Sequence, residues 1–202
     1  MFITFEGGEG SGKTTQVKLL AEFFKSQKKK VFETFEPGDT ALGKSLRKVL
    51  LSNDNLSDLT ELLLFAADRV EHVEKVIKKK LKQGFIVLCD RYIDSTTAYQ
   101  VGGRNLNPKL VEFLNGAASM GLKPDLTFLL DIPAEIGVKR ALVKNKFERK
   151  NSEFHKRVRR QFLKIAKENK RRVKVIDATR SVEEISKEIS KTCKAKIFGK
   201  RY

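Results

Sequence analysis

The sequence predicts an α/β fold, a doubly wound five-stranded parallel sheet flanked by helices, on three observations. Five short apolar runs alternate with stretches of helical periodicity, the pattern of strands covered on both faces. A glycine-rich turn, Gly7-Gly8-Glu9-Gly10-Ser11-Gly12-Lys13-Thr14, stands between the first run and the first helix. An acidic residue lies at or just past the carboxyl end of each run (Glu6, Glu36, Asp90, Asp131 and Asp177), and in open parallel sheets that edge gathers ligands. The 202 residues, 40% of them hydrophobic, predict one domain over residues 1–202 that buries roughly 70% of its unfolded surface.

Phe2-Glu6 is the first predicted strand, and Lys13 to Gln27 the first helix. Val31-Phe35 reads as strand two, followed by the turn Glu36-Pro37-Gly38-Asp39 and a short helix through Leu51. Leu56 to Lys82 carries one long helical pattern, with Ser57 as its N-cap. After Gln83-Gly84, the continuous apolar run Phe85-Cys89 leads to Asp90. Pro108-Ser119 is helical, Leu126-Asp131 a buried strand, and Pro133-Val143 a helix. A polar stretch precedes a helix over Phe154-Glu168; Val173-Asp177 is the last strand and Ser181-Cys193 the last helix.

Composition removes several function classes. No apolar run approaches the ~20 residues that span a bilayer, and the first strand begins at Phe2, which argues against a secretory leader. Cys89 and Cys193 give neither a disulfide framework nor metal-type spacing, so a cytoplasmic setting is expected. The net charge of +17 points to anionic partners. It is uneven: residues 139 to 172 hold 15 Lys and Arg against three Glu. The triplets Lys28-Lys30 and Lys78-Lys80 fall at predicted helix C-termini, where cations suit the helix dipole.

Gly7 to Thr14 matches the full G-x-x-x-x-G-K-[ST] pattern, in the strand-to-helix context that the pattern requires. Backbone N–H groups of Gly7, Gly8, Glu9, Gly10, Ser11 and Gly12 converge on phosphate oxygens, helped by the helix N-terminus that continues through Thr15. Lys13 supplies a point charge to the terminal phosphates of a nucleotide, and the Thr14 hydroxyl a ligand for Mg2+. No Asn-Lys-x-Asp reads guanine, and no extra lysine stands early in the loop. A small-molecule kinase needs in addition an acceptor pocket and a basic lid.

Three further segments carry a family resemblance. Glu36-Pro37-Gly38-Asp39-Thr40 with Leu42-Gly43 and Leu46-Arg47, then Phe65 to Arg69, then Asp90-Arg91-Tyr92 with Ser95 and Ala98-Tyr99-Gln100, resemble in order the REPGGT…LG…LR, FxxxR and DRY…S…AYQ elements of the thymidylate kinases. With Pro124-Asp125-Leu126-Thr127 and Phe154-His155 the likeness covers nearly the whole chain. It implies a P-loop fold of the nucleoside-monophosphate kinase type, Mg2+-dependent transfer of the γ-phosphoryl of ATP to dTMP, and a homodimer. Phe65 and Arg69, four apart on a helix, share a face. By the resemblance the ring stacks on the pyrimidine and the guanidinium donates to its O4. Arg91 and Arg47 take the dTMP phosphate, with Glu36 and Pro37 beside them. Asp90 holds Mg2+ through water or positions the acceptor. Tyr99 packs under the sugar, Thr96 and Gln100 sit near the base, and Glu9 reaches the 3′-hydroxyl, a solvated Glu9 being the alternative. His72 and His155 read as structural.

The likeness weakens in the lid, about 143–153. The family's D-R-F-E stands here as Asn145-Lys146-Phe147-Glu148, and Gly10 leaves the loop without arginine, so Lys146 or Arg149 is the expected catalytic cation. Lys144 adds charge; Arg140 does the same or stacks on adenine. Phe35 replaces an arginine, and Asp39 a glycine, close to the acceptor pocket. Two other readings remain open: a kinase for another monophosphate or a deoxynucleoside, and an ATPase that binds nucleic acid through the basic segment.

Overall fold

A computed structural model describes residues 1–52, 55–140, 147 and 150–198. The five expected strands form one parallel sheet: β1 (Phe2–Glu6), β2 (Val31–Phe35), β3 (Ile86–Asp90), β4 (Leu126–Asp131) and β5 (Val173–Asp177), in the order β2-β3-β1-β4-β5. β1 is central, with Phe5 registered on Asp90 of β3 and on Phe128 of β4. The chain builds β2 and β3 on one side of β1 before crossing to β4 and β5 on the other. Such a reversal opens a crevice at the carboxyl ends of the strands, here directly beneath the glycine-rich turn.

The apolar strands are covered on both faces, as their unbroken hydrophobicity requires. Ile3, Phe5, Leu88, Phe128 and Ile176 pack with Val17, Leu20 and Phe24 of α1 (Lys13–Ser26) and with Ile185 and Ile189 of α9 (Val182–Phe198). On the other face, Phe2, Val87, Cys89 and Tyr92 pack with Val73 and Ile77. Both cysteines are buried, free thiols. Where the central strands need a polar link, Thr4 and Thr127 share a buried hydroxyl hydrogen bond of 2.7 Å.

α2 spans Ala41–Ser52, α3 Asp58–His72, α4 Lys78–Lys82, α5 Ile93–Thr96, α6 Pro108–Ala118, α7 Ala134–Arg140 and α8 Ser152–Glu168. Ser57 caps α3 as expected, its Oγ accepting from Thr60 N at 3.2 Å. The long helix expected from Leu56 to Lys82 carries a π-helical interlude at Val73–Ile77. α8 begins two residues before Phe154, because Asn151 Oδ1 accepts from Phe154 N at 2.9 Å. α9 outruns the expected end at Cys193.

One element escaped the sequence. α5 runs into a π-helical segment, Thr97–Gly103, over a stretch whose threonines and paired glycines have low intrinsic helix propensity. Tertiary contact holds it there. Arg157 donates to Gly102 O and Gly103 O at 3.2 and 2.8 Å, and a Cβ on Gly103 would lie 2.5 Å from the Phe154 ring. The glycines exist for this close approach to α8. The segment sets Tyr99 and Gln100 on the wall of the crevice.

Candidate active site

A cavity of about 980 Å³ opens at the carboxyl ends of β1, β2 and β3. The phosphate-binding loop from Glu9 to Thr15 lines one end; Phe65, Arg69, Thr96, Tyr99 and Gln100 line the other. Two sets of residues far apart in sequence thus face one space.

At the loop end, Lys13 folds back over the backbone, donating to Gly8 O at 2.8 Å and Gly7 O at 3.2 Å. Burial pushes its pKa down to about 8, with Arg91 adding to the shift and Glu9, Asp90 and Glu6 opposing it. Gly10 has φ 63, and a Cβ there would lie 2.0 Å from Gly137 O on α7. Neither arginine nor any other side chain fits that position without moving α7, which is a physical reason for the loop's lack of an arginine. Arg140, at the end of α7, donates to Ala178 O at 2.9 Å and lines the cavity beside the loop.

Thr14 Oγ1 donates to Asp90 Oδ2 at 2.5 Å. Hydroxyl and carboxylate oxygen at the mouth of a phosphate loop form a hard donor pair that suits Mg2+, an ion that takes few protein ligands and completes its shell with water and phosphate. Among the described residues, no group of three or more His, Cys, Asp or Glu forms a metal cage.

Glu9 and Arg91 join the two ends. Arg91 follows β3 with φ 70, a left-handed backbone that is costly for any residue with a Cβ. The turn is held from below: Tyr92 N donates to Glu6 Oε1 at 2.8 Å, and Ser95 Oγ to Glu6 Oε2 at 2.5 Å. From it the guanidinium donates to Glu9 Oε1 at 2.9 Å, Gly7 O at 3.1 Å and Ser95 Oγ at 3.2 Å. Tyr99 OH donates to the same Glu9 oxygen at 2.6 Å. Burial alone would raise the Glu9 pKa, but Arg91, Lys13 and the Tyr99 hydroxyl hold it at about 2. Glu6 goes the other way, raised to about 7 by burial and by Asp94.

At the far end Arg69 is almost fully enclosed. Its Nε and Nη2 each lie 2.8 Å from Glu36 Oε2, and Nη1 donates to Asn115 Oδ1 at 2.8 Å. Glu36 therefore faces the cavity with both oxygens engaged, Oε1 being 2.9 Å from His72 Nδ1. Burial opposes its ionisation, yet Arg69 and His72 keep its pKa below the usual carboxylate range. Arg47 donates to Pro37 O at 2.7 Å and lies over the Phe35 ring, at 5.4 Å from its centroid. Phe65 is half-buried against Phe147, ring centroids 6.2 Å apart, and Phe147 meets Tyr99 edge-on at 5.7 Å. Gln100 Nε2 donates to the buried Glu61 at 2.9 Å, which leaves Gln100 Oε1 a buried acceptor without a protein partner.

All the expected residues of the loop and the acceptor side line or adjoin this cavity. Lys144, Lys146, Glu148 and Arg149 of the lid lie outside the described residues. Sequence reasoning missed Glu61, Asp68 and Asn115, placed Glu6 at the ligand edge of the sheet without a role, and gave His72 no part in the site. A signal existed on α3: Glu61, Phe65, Asp68 and His72 recur at helical spacing, so charged side chains share the face of the aromatic ring. A purely solvated face would not carry that ring.

A family model described as thymidylate kinase matches residues 5–189. A curated thymidylate kinase of Sulfurihydrogenibium sp. is 50% identical over 189 residues, covering 92% of this chain and 93% of the relative. One from Synechococcus sp. is 48% identical, covering 98% of each. The crystal structure of a thymidylate kinase from Ehrlichia chaffeensis superposes with a TM-score of 0.80 at 40% identity, over 96% of this chain and 98% of that one.

Proposed function

The chain belongs to the thymidylate kinase family, and from that membership we infer its reaction: it transfers the γ-phosphoryl group of ATP to dTMP, giving dTDP and ADP on the route to dTTP. One observation carries the reading within the molecule. The phosphate loop and the acceptor wall share a single cavity, and Glu9 belongs to both.

The geometry supports the following residue roles. Lys13 and the loop N–H groups, Gly7 through Thr15, bind the ATP phosphates, and Arg140, which lines the cavity beside the loop, stacks on the adenine. Arg91, anchored on its left-handed turn, and Arg47 take the dTMP phosphate, with Pro37 shaping the wall. Phe65 stacks on the base. Arg69 spends N–H groups on Glu36 and Asn115 and keeps others of its five donors for a base carbonyl. Glu36 acts by fixing Arg69. Because Glu61 accepts from the Gln100 amide nitrogen, Gln100 Oε1 is left to accept. Thymine and uracil offer a donor at N3; cytosine does not. Tyr99, tied to Glu9, closes the sugar side against a 2′-hydroxyl while Glu9 meets the 3′-hydroxyl, and Thr96 lies beside them.

Phosphoryl transfer is mostly positioning and charge neutralisation. Mg2+ would be held by Thr14 and Asp90 and would neutralise phosphate charge. Lys146 or Arg149 would bring the lid's cation. A cytoplasmic homodimer fits the chain as well. Leu59, Leu63 and Val70 of α3 with Leu110 and Phe113 of α6 leave an exposed apolar face, Phe113 being 69% exposed. No described helix is long and apolar enough to cross a membrane. A coupled ADP-release assay comparing dTMP, dUMP, UMP, dCMP, AMP, GMP and thymidine, with DNA as a no-acceptor control, tests the reading. Preference for dTMP supports it; turnover only with DNA would sink it.

A further inference from the structure

A chain of polar groups runs from the half-buried Asp39, at the mouth of the Glu36–Asp39 turn, through the buried Thr34, His72 and Glu36 to Arg69 in the acceptor wall. Asp39 Oδ2 accepts the hydroxyl proton of Thr34. Thr34 Oγ1 is 2.6 Å from Nε2 of His72, a side chain with no exposure. On the other edge of the ring, His72 Nδ1 is 2.9 Å from Glu36 Oε1, whose second oxygen takes Arg69.

Proton counting sets the direction of each bond. A threonine hydroxyl has one proton. With that proton on the Asp39 carboxylate, Thr34 Oγ1 can only accept from His72 Nε2. Glu36, an acceptor-only carboxylate held ionised by Arg69, requires a proton on Nδ1 as well. Both ring nitrogens then donate. Among the described residues, Asp68, one position before Arg69 on α3, also acts electrostatically on the ring and on Glu36, and Glu36 is faced besides by the Cys89 thiol of β3 and the Tyr92 hydroxyl. We propose that Asp39 is a positioning residue: acting through Thr34, it keeps His72 an imidazolium, which with Arg69 clamps Glu36 and so fixes the guanidinium that meets the acceptor base.

The alternation of acid, hydroxyl, imidazolium, carboxylate and guanidinium leaves no donor opposed to a donor and no acceptor opposed to an acceptor. Removing the Asp39 carboxylate frees the Thr34 proton to turn toward Nε2, and the ring becomes neutral with its proton on Nδ1. Glu36 then loses one of its two cations, and Arg69 gains room to tilt. The role of this chain in acceptor binding rests on the pocket assignment above; the proton count does not.

Imidazole 15N–1H correlation spectra of the full-length protein test it directly. The chain has two histidines, and a His155→Asn control assigns the signals. Wild-type His72 is expected to show protons on both nitrogens at pH 7.5. Asp39→Ala is expected to lose the Nε2 proton and keep that on Nδ1, and Thr34→Val to do the same. KM for dTMP is expected to rise roughly five- to tenfold in Asp39→Ala, with kcat and KM for ATP within about twofold. A wild-type His72 with one proton, or an Asp39→Ala ring still carrying two, overturns the proposal. A parallel rise in both KM values overturns its link to the acceptor. Should another monophosphate prove to be the substrate, the spectra still decide the state of His72.

Discussion

Glu9 of the phosphate-binding loop and Arg91 of the turn after β3 meet at 2.9 Å, although 82 positions separate them in the chain. The strands that precede them are neighbours in the sheet, and that register, with the turn that Glu6 anchors after β3, brings donor and acceptor residues together. The pairing has an energetic side. The folded Glu9 pKa of about 2 lies below its ordinary value of 4.5. Its contribution to stability is therefore complete above about pH 4.5 and lost as pH falls toward 2. At neutral pH the pair is fully charged.

Lys13→Ala removes the only side-chain charge inside the loop that lies over its backbone carbonyls. Turnover is expected to fall by at least about 10²–10³-fold, the scale for losing one preorganised charge donor. Single-turnover kinetics with saturating dTMP measure it; retention of most of kcat would remove Lys13 from the phosphate site. With the wild type, kcat/KM for ATP is expected to decline above pH 8, where free Lys13 gives up its proton.

Arg69→Ala leaves Glu36 buried with one cation where it had two. KM for dTMP should rise at least tenfold, ATP binding should change little, and stability should drop by about 3–5 kcal/mol, as for other broken buried pairs. Pairing it with Glu36→Gln should restore much of the stability and none of the dTMP affinity. Equal loss of both nucleotides would take Arg69 out of the base-reading role.

Gly10→Ala tests the contact between the loop and α7. The new methyl would meet Gly137 O at 2.0 Å on a left-handed backbone, at a cost of about 1–3 kcal/mol. Calorimetry should show Tm lower by several degrees. An unchanged Tm would mean that α7 yields freely.

Glu6→Gln keeps an acceptor for Tyr92 N and a polar group for Ser95 but carries no charge. The folded Glu6 pKa, about 7, lies above the ordinary 4.5, so the folded state binds the extra proton and wild-type stability declines between these values as pH rises. The variant should lack that decline and be more stable at pH 8, by at most about 3 kcal/mol. Urea titrations from pH 4 to 8 read it; parallel profiles for the two proteins would refute the raised pKa.

The five strands, their parallel order of covering and the phosphate loop were legible in the sequence because each rests on local signals: continuous apolar runs, glycine spacing, a lysine and threonine in series. Motif order carried the acceptor residues too. The segment from Ile93 to Gly103 was not legible, since its propensity is poor and α8 supplies what holds it. The same holds for the roles of Glu6, Glu61 and His72. A buried charge is defined by the partner that faces it, and those partners, Tyr92 N and Ser95, Gln100, Thr34 and Glu36, lie on other elements. Sequence by itself determined that this chain folds as a parallel sheet and binds a phosphate chain. Tertiary structure decided which carboxylates stay charged and which arginine points where, because both depend on distances that only the packed sheet sets.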